Sequence, residues 1–327
     1  MRPKVLLLAQ AFRRELPGSA EPLLAAGCEI IESPEWRRLE ADELAGIIPE
    51  IDACVAGNDR FTREVFERAD RLKAVSRWGI GVDAVDLAAA TDHGVVVTNT
   101  PGLTADAVAD FTFMLMLVLA RNFRRCDDVM CSGGWDEVGG VNLCRKTLGI
   151  VGFGAIGRRV ARRAQGFEMR VLAYDVAPDT EAAAALGVSL VDLDTLVRES
   201  DFLTLHASAD DANDSMIGAA QLAAMKPTSF LVNTARGRLV DEQALAKALA
   251  EGQIAGAALD AHRCEPPEGD YCLRDAPNCV LTPHSAFNSA ETRQAVNRAA
   301  AENVLTVLRG ERPTHVVNPQ VYERQGT

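Results

Sequence analysis

The sequence lacks any apolar stretch near the roughly 20 residues that a membrane-spanning helix requires. The run from Phe111 to Ala120 is about half that length and reads as a buried helix. Basic charge is also scarce. Lys and Arg number 34 against 46 Asp and Glu, a net charge of −12. Phosphate neutralisation needs a basic surface, so a general nucleic-acid binder is excluded and an anionic membrane surface is disfavoured as a partner. An anionic substrate must be drawn in by a few local cations and backbone N–H groups. The eight Cys include no C-x-x-C and no zinc-ligand spacing. Neither a metal site nor a disulfide framework is expected, and reduced thiols fit a cytoplasmic protein. Low-complexity segments and repeats of 20–50 residues are absent. The opening Met1-Arg2-Pro3-Lys4 and Val5–Ala9 have the outline of a secretory leader. The apolar run is short, however, and Gln10, Arg13 and Arg14 interrupt it, so it reads as a first strand.

At about 150 residues per domain, the 327 residues make roughly two domains. Hydrophobic residues at 48% and charged residues at 24% are ordinary for globular proteins and exclude disordered or fibrous chains. From Thr147 onward, short apolar runs alternate with amphipathic stretches. The expected strands are Leu148–Val151, Arg170–Tyr174, Phe202–His206, Phe230–Asn233, Ile254–Leu259 and Val280–Thr282, with helices at Arg158–Gln165 and Glu242–Glu251. Parallel strands need crossover connections, so the alternation predicts a doubly wound parallel sheet. A shorter version of the rhythm runs through Val5–Ala9, Cys28–Ile31, Cys54–Ala56, Ala74–Ser76 and Val95–Thr98. Two α/β domains follow. Long helical patterns at Ala105–Leu119 and Ser289–Leu308 are the expected crossings, giving one domain from residues 1–100 and 286–327 and an inserted one from 101–285.

Gly152-Phe153-Gly154-Ala155-Ile156-Gly157 follows one expected strand and opens a helix. In that context the first Gly permits the turn and the second admits a pyrophosphate to the backbone. The third allows close helix–strand packing, and the helix start supplies free N–H groups. Asp175, at the tip of the next strand, is positioned to accept hydrogen bonds from an adenosine ribose. Its charge, and the lack of a neighbouring Arg in Asp175-Val176-Ala177, predict NAD in preference to NADP. Arg158 and Arg159 are expected to face solvent.

Three further strand ends carry reactive side chains: Asn233-Thr234-Ala235-Arg236-Gly237, Asp260-Ala261-His262-Arg263-Cys264-Glu265 and Thr282-Pro283-His284. Strand C-termini line the ligand crevice of such sheets. With Ser76-Arg77-Trp78-Gly79-Ile80-Gly81-Val82-Asp83 and Val108-Ala109-Asp110, these motifs resemble those of the D-isomer-specific 2-hydroxyacid dehydrogenases over nearly the whole chain. Within that family the resemblance is greatest to phosphoglycerate dehydrogenases without a regulatory tail and to glyoxylate and hydroxypyruvate reductases.

The resemblance implies an NAD-binding Rossmann domain inserted into a flavodoxin-like substrate domain, and hydride transfer between nicotinamide and C2 of a small anionic 2-hydroxy or 2-oxo acid. His284 becomes the general acid of reduction, paired with Glu265, and a carboxylate within about 4–6 Å favours the imidazolium. Arg236 becomes the grip on the substrate carboxylate, a task for a planar, permanently charged fork. Asp260 would orient the nicotinamide carboxamide, with Val108, His206, Thr234 and Ala235 also at the cofactor. Arg77, Trp78, Gly79, Ile80, Gly81 and Phe287 would line the substrate, the loop N–H groups binding its carboxylate. The other histidines, His93, His262 and His315, receive no role. Trp135 matches an aromatic at the family's dimer contacts, so a homodimer is implied.

The chain departs from phosphoglycerate-type enzymes at Ala56-Gly57-Asn58-Asp59-Arg60, where an Arg-Ser pair is usual, and from the family at Glu168, where Gly is usual, and in the loop after His206, whose acidic Asp210, Asp211 and Asp214 are expected to repel a 2′-phosphate. A second functional reading is an NAD(H)-sensing scaffold like the C-terminal-binding co-repressors, which retain the fold and the dyad.

Overall fold

A computed structural model describes residues 2–324. It divides into a unit formed by residues 2–104 and 289–324 and a second, contiguous unit of 105–288.

The first unit carries five strands, β1 (Lys4–Leu7), β2 (Glu29–Glu32), β3 (Ala53–Ala56), β4 (Ala74–Arg77) and β5 (Val96–Thr98), all parallel in the order β2-β1-β3-β4-β5. This is the flavodoxin-like order. β1 and β3 are almost wholly apolar because parallel strands are covered on both faces. The late segment of the chain completes the unit. Helix Ala290–Leu308, capped by the Ser289 hydroxyl, packs on β3 and β4. The Trp78 indole N–H donates to Asn297 at 2.6 Å, and Arg293 pairs with Glu15 at 2.7 Å. Val316 bridges antiparallel to Thr98.

The second unit has seven parallel strands, β6 (Thr147–Val151), β7 (Arg170–Tyr174), β8 (Ser189–Leu190), β9 (Phe202–Leu205), β10 (Phe230–Asn233), β11 (Gly256–Leu259) and β12 (Cys279–Leu281), in the order β12-β11-β10-β9-β6-β7-β8. The order reverses between β9 and β6, the switch point of a Rossmann sheet. Successive side chains alternate between two cores. Leu148, Ile150, Phe202, Phe230 and Val232 pack under helices Ala105–Ala120 and Ala155–Gly166. Val151, Leu203, Leu205 and Leu231 pack under helices Leu193–Glu199, Ala219–Ala224 and Glu242–Ala250. Asp192 and Asp241 accept N–H groups at the starts of two of these helices.

β8 is an addition to the expected strands, and helices Phe123–Cys131, Thr180–Ala185, Leu193–Glu199 and Ala219–Ala224 are additions to the expected helices of the second unit. Glu168 adopts φ +53, the left-handed conformation that glycine takes at no steric cost, and so makes the turn that its replacement of Gly put in question. All eight Cys are free thiols. Among the described residues no helix is long and apolar enough to cross a membrane, and no cluster of three or more His, Cys, Asp or Glu is arranged to hold a metal.

Candidate active site

The glycine loop lies at the end of β6. Gly152 has φ +88, and a Cβ there would overlap the backbone of His206 and Ala207 at the end of β9, so only glycine permits this approach. A Cβ on Gly157 would strike the Gly152 carbonyl, which fixes the close seating of the helix on the strand. Gly154 faces open space, and no side chain caps the helix that begins at Ala155 and Ile156. Such a helix start leaves backbone N–H groups that are able to receive an anion. At the tip of β7, Asp175 accepts the Phe153 N–H at 2.6 Å and the Ala177 N–H at 2.8 Å, so the acid is tied to the loop.

His206 lies beside the loop. Burial pushes its pKa down to about 3, so the ring is neutral. Its Nδ1 lies 3.4 Å from Thr234 Oγ1, which is 3.1 Å from Thr112 Oγ1, and Thr112 in turn donates to the Val108 carbonyl. His206 Nε2 is buried without a partner among the described residues. An open glycine, an uncapped helix start and an orphaned buried nitrogen together fit a dinucleotide. Arg158 and Arg159 are half-exposed but engaged, Arg158 with Asp179 and the Phe153 carbonyl, Arg159 with Asp106. The acidic loop is less repulsive than its sequence indicates, because Arg238 pairs with Asp211 and Asp214, and Arg263 with Asp214.

The expected dyad is formed. His284 Nδ1 lies 2.9 and 2.8 Å from the two carboxylate oxygens of Glu265. Burial works against the Glu265 charge, but the hydrogen bond and charge of His284, with the His262 N–H, outweigh it and hold the carboxyl below its usual value. A carboxylate can only accept, so Nδ1 keeps its proton and Nε2 is the nitrogen that exchanges one. His284 has φ +49, an unusual conformation for a side-chain-bearing residue. Asp260 holds it there. Its backbone carbonyl accepts the His284 N–H at 2.8 Å, and its carboxylate accepts the Thr282 hydroxyl at 2.6 Å and the N–H groups of Ser285 and Ala286 at 2.8 Å. Three donors already converge on the side chain expected at the cofactor carboxamide, so its first task is to anchor the His284 turn. Phe287 lies edge-on to the His284 ring at 6.1 Å.

Arg236 stands just beyond β10, in a turn fixed by Asn233, which accepts the Ala235 N–H and donates to the Arg236 carbonyl. Its guanidinium donates to the Ala235 carbonyl at 2.8 Å. A Cβ on the following Gly237 would overlap the carbonyl of His262, so glycine lets the Arg236 turn and the Glu265 segment touch.

In the first unit, Arg77 at the end of β4 donates to Asn58 Oδ1 and to the Trp78 carbonyl. Gly79 has φ +121, but its N–H is donated to Thr100 Oγ1 at 3.1 Å, and Trp78 is only 5% exposed. These two expected substrate contacts are thus engaged within the unit. The N–H groups of Ile80 and Gly81 have no hydrogen-bond partner among the described residues. Arg60 pairs with Glu40 at 3.5 Å on the surface.

His262, which the sequence left without a role, donates its backbone N–H to Glu265. Glu242, Tyr271 and Thr282 were equally silent, because nothing in their spacing signals that they meet.

A Rossmann sheet with its glycine cradle, together with a His–Glu pair at the strand ends, defines a dinucleotide-dependent oxidoreductase. A family model described as D-isomer specific 2-hydroxyacid dehydrogenase, NAD binding domain, matches residues 113–286. A glyoxylate reductase of Korarchaeum cryptofilum is 40% identical over 98% of this chain and 97% of its own length. Among solved structures, the TT0316 protein of Thermus thermophilus aligns with a TM-score of 0.87 at 34% identity, covering 96% of this chain and 99% of that one. The D-lactate dehydrogenase of Aquifex aeolicus, complexed with NAD and lactic acid, aligns at 0.86 and 25% identity, covering 96% and 99%. The chain belongs to the D-isomer-specific 2-hydroxyacid dehydrogenase family. It is an NAD-binding oxidoreductase acting on a CH–OH group.

Proposed function

We propose that this enzyme works as an NADH-dependent reductase of small 2-oxo acids in the size range of glyoxylate and hydroxypyruvate. The His284–Glu265 pair carries the reading, because it leaves Nε2 as the only ring nitrogen able to pass a proton to a carbonyl oxygen. Bound nicotinamide supplies the hydride. His284 gives the Nε2 proton to the oxygen as charge develops there, and Glu265 holds the ring and offsets the imidazolium charge. Arg236 grips the substrate carboxylate and steadies the developing oxyanion. Within the first unit, the N–H groups of Ile80 and Gly81, with Arg77, are the candidates for holding an anion, which makes that unit the substrate domain and the second the NAD domain. The size class follows the Korarchaeum relative named glyoxylate reductase.

The test is NADH oxidation with glyoxylate, hydroxypyruvate, phosphohydroxypyruvate, phosphonopyruvate, pyruvate and 2-oxoglutarate. Turnover is expected with the small members, and negligible rates with all of them would overturn this substrate class.

NAD is preferred over NADP because the Asp175 carboxylate at the tip of β7 would repel a 2′-phosphate. In Asp175→Ala the NADH-to-NADPH ratio of kcat/KM is expected to fall by about tenfold, the loss of one charge-assisted hydrogen bond. An unchanged ratio removes Asp175 from cofactor selection. The enzyme is a cytoplasmic homodimer without nucleic-acid or membrane partners. Support for the dimer comes from exposed Met114, Leu117, Phe123, Met130 and Trp135 gathered in one segment, Trp135 being 87% exposed. Sedimentation as a monomer at micromolar concentration would overturn the pairing.

A further inference from the structure

Behind Glu265 lies a second polar cluster with no place in the reaction as written. His262 is 8% exposed and bonded at both ring nitrogens. Nε2 lies 2.8 Å from the Thr282 carbonyl and Nδ1 lies 3.0 Å from the Tyr271 hydroxyl. The carbonyl only accepts, so Nε2 is the donor there. Tyr271 is 3.1 Å from Glu242 Oε1, and that same oxygen accepts the Arg263 N–H at 2.8 Å. Glu242 is itself 8% exposed, at the start of helix Glu242–Ala250. The His262 and Tyr271 rings meet edge to face at 5.6 Å. Burial and the Glu242 charge raise the Tyr271 pKa, which keeps the phenol protonated as a donor.

The position of His262 gives the cluster its meaning, because it touches the chain segments of all three candidate reactive groups. Its backbone N–H donates to Glu265 Oε1 at 2.9 Å. Its ring holds the carbonyl of Thr282, two residues before His284. Its carbonyl lies against Gly237, next to Arg236. A buried side chain bonded at both ends has little freedom to rotate, and buried polar groups that are fully paired specify one arrangement.

We propose that His262, braced by Tyr271 and Glu242, is a positioning residue that fixes Glu265 and the His284 turn relative to Arg236. The proposal rests on the reductase reading above and assigns the brace no contact with substrate. Proton donation depends on placement to within about an ångström, and a misplacement of that size can cost about 10²-fold. Loosening the brace therefore acts on the proton step rather than on cofactor binding.

The experiment compares Tyr271→Phe, which removes only the bridging hydroxyl, and His262→Leu, which removes both ring bonds, with Glu242→Gln, whose amide still accepts from the Arg263 N–H. In Tyr271→Phe and His262→Leu, kcat for 2-oxo acid reduction is expected to fall by about tenfold. The solvent deuterium isotope effect on kcat is expected to rise, while KM for NADH stays within about twofold. Glu242→Gln is expected to retain most of the rate. Kinetics within twofold of wild type and an unchanged isotope effect in either breaking variant would overturn the proposal, and if one fails to fold the other decides. If wild type is active and His284→Ala is not, failure of the brace variants to respond sinks this inference alone. A wild type inactive with every 2-oxo acid sinks the reductase reading and this inference with it.

Discussion

In His284→Ala, NADH oxidation with a 2-oxo acid is expected to fall by about 10²–10⁴-fold, the usual contribution of a positioned general acid. NADH binding, followed by fluorescence titration, should hardly change. The expectation follows from the dyad. With Nδ1 facing the Glu265 carboxylate at 2.8 Å, Nε2 is the ring atom that exchanges a proton. Removing the imidazole deletes that donor and leaves a half-buried carboxylate without its partner. The Glu265 carboxyl, held below its usual value mainly against burial by His284, should then titrate at higher pH. A group with a lowered folded pKa stabilises the fold above its unfolded pKa, and that contribution is lost as pH falls through the folded value. His284→Ala should therefore also flatten the acid side of the stability curve. Retention of a tenth or more of wild-type turnover would remove His284 as the proton donor.

The second large effect is expected at Arg236. Arg236→Ala should lower kcat/KM for the 2-oxo acid by about 10²–10³-fold, the scale of losing one oxyanion donor, with KM for the acid raised and NADH binding intact. Arg236→Lys should recover only part of the loss, because an ammonium lacks the planar fork that engages a carboxylate at two points. Full recovery in the lysine variant would mean that charge alone is needed. A wild-type rate in the alanine variant would place substrate recognition elsewhere.

Much of this arrangement is legible in the sequence because the relevant signals are local. Leu148–Val151, Phe202–Leu205 and Phe230–Asn233 are near-continuous apolar runs, as strands covered on both faces must be. The glycine loop announces itself through spacing. β8 escaped notice because its two residues, Ser189 and Leu190, form no pattern. The pairing of Asp211 and Asp214 with Arg238 and Arg263 joins side chains 24 or more residues apart, and a charge count along the chain takes them as unopposed. The brace around His262 is more hidden still, since Glu242 opens a helix while Tyr271 and Thr282 lie in two later loops. Glu168 marks the opposite case, in which the sequence alone raised a doubt and the backbone resolved it by entering the left-handed region.

The two-segment origin of the first unit bears on the timing of biosynthesis. Its five strands leave the ribosome ahead of the contiguous unit, yet they lack helix Ala290–Leu308, with the Asn297 partner of Trp78 and the Arg293 partner of Glu15, until that unit has been made. The contiguous unit 105–288 has all of its own sheet by then. Of the two units, the one whose strands are made earlier is thus expected to mature later, and nascent chains stalled once residue 288 has cleared the exit tunnel should resist protease over residues 105–288 while residues 2–104 are still cut.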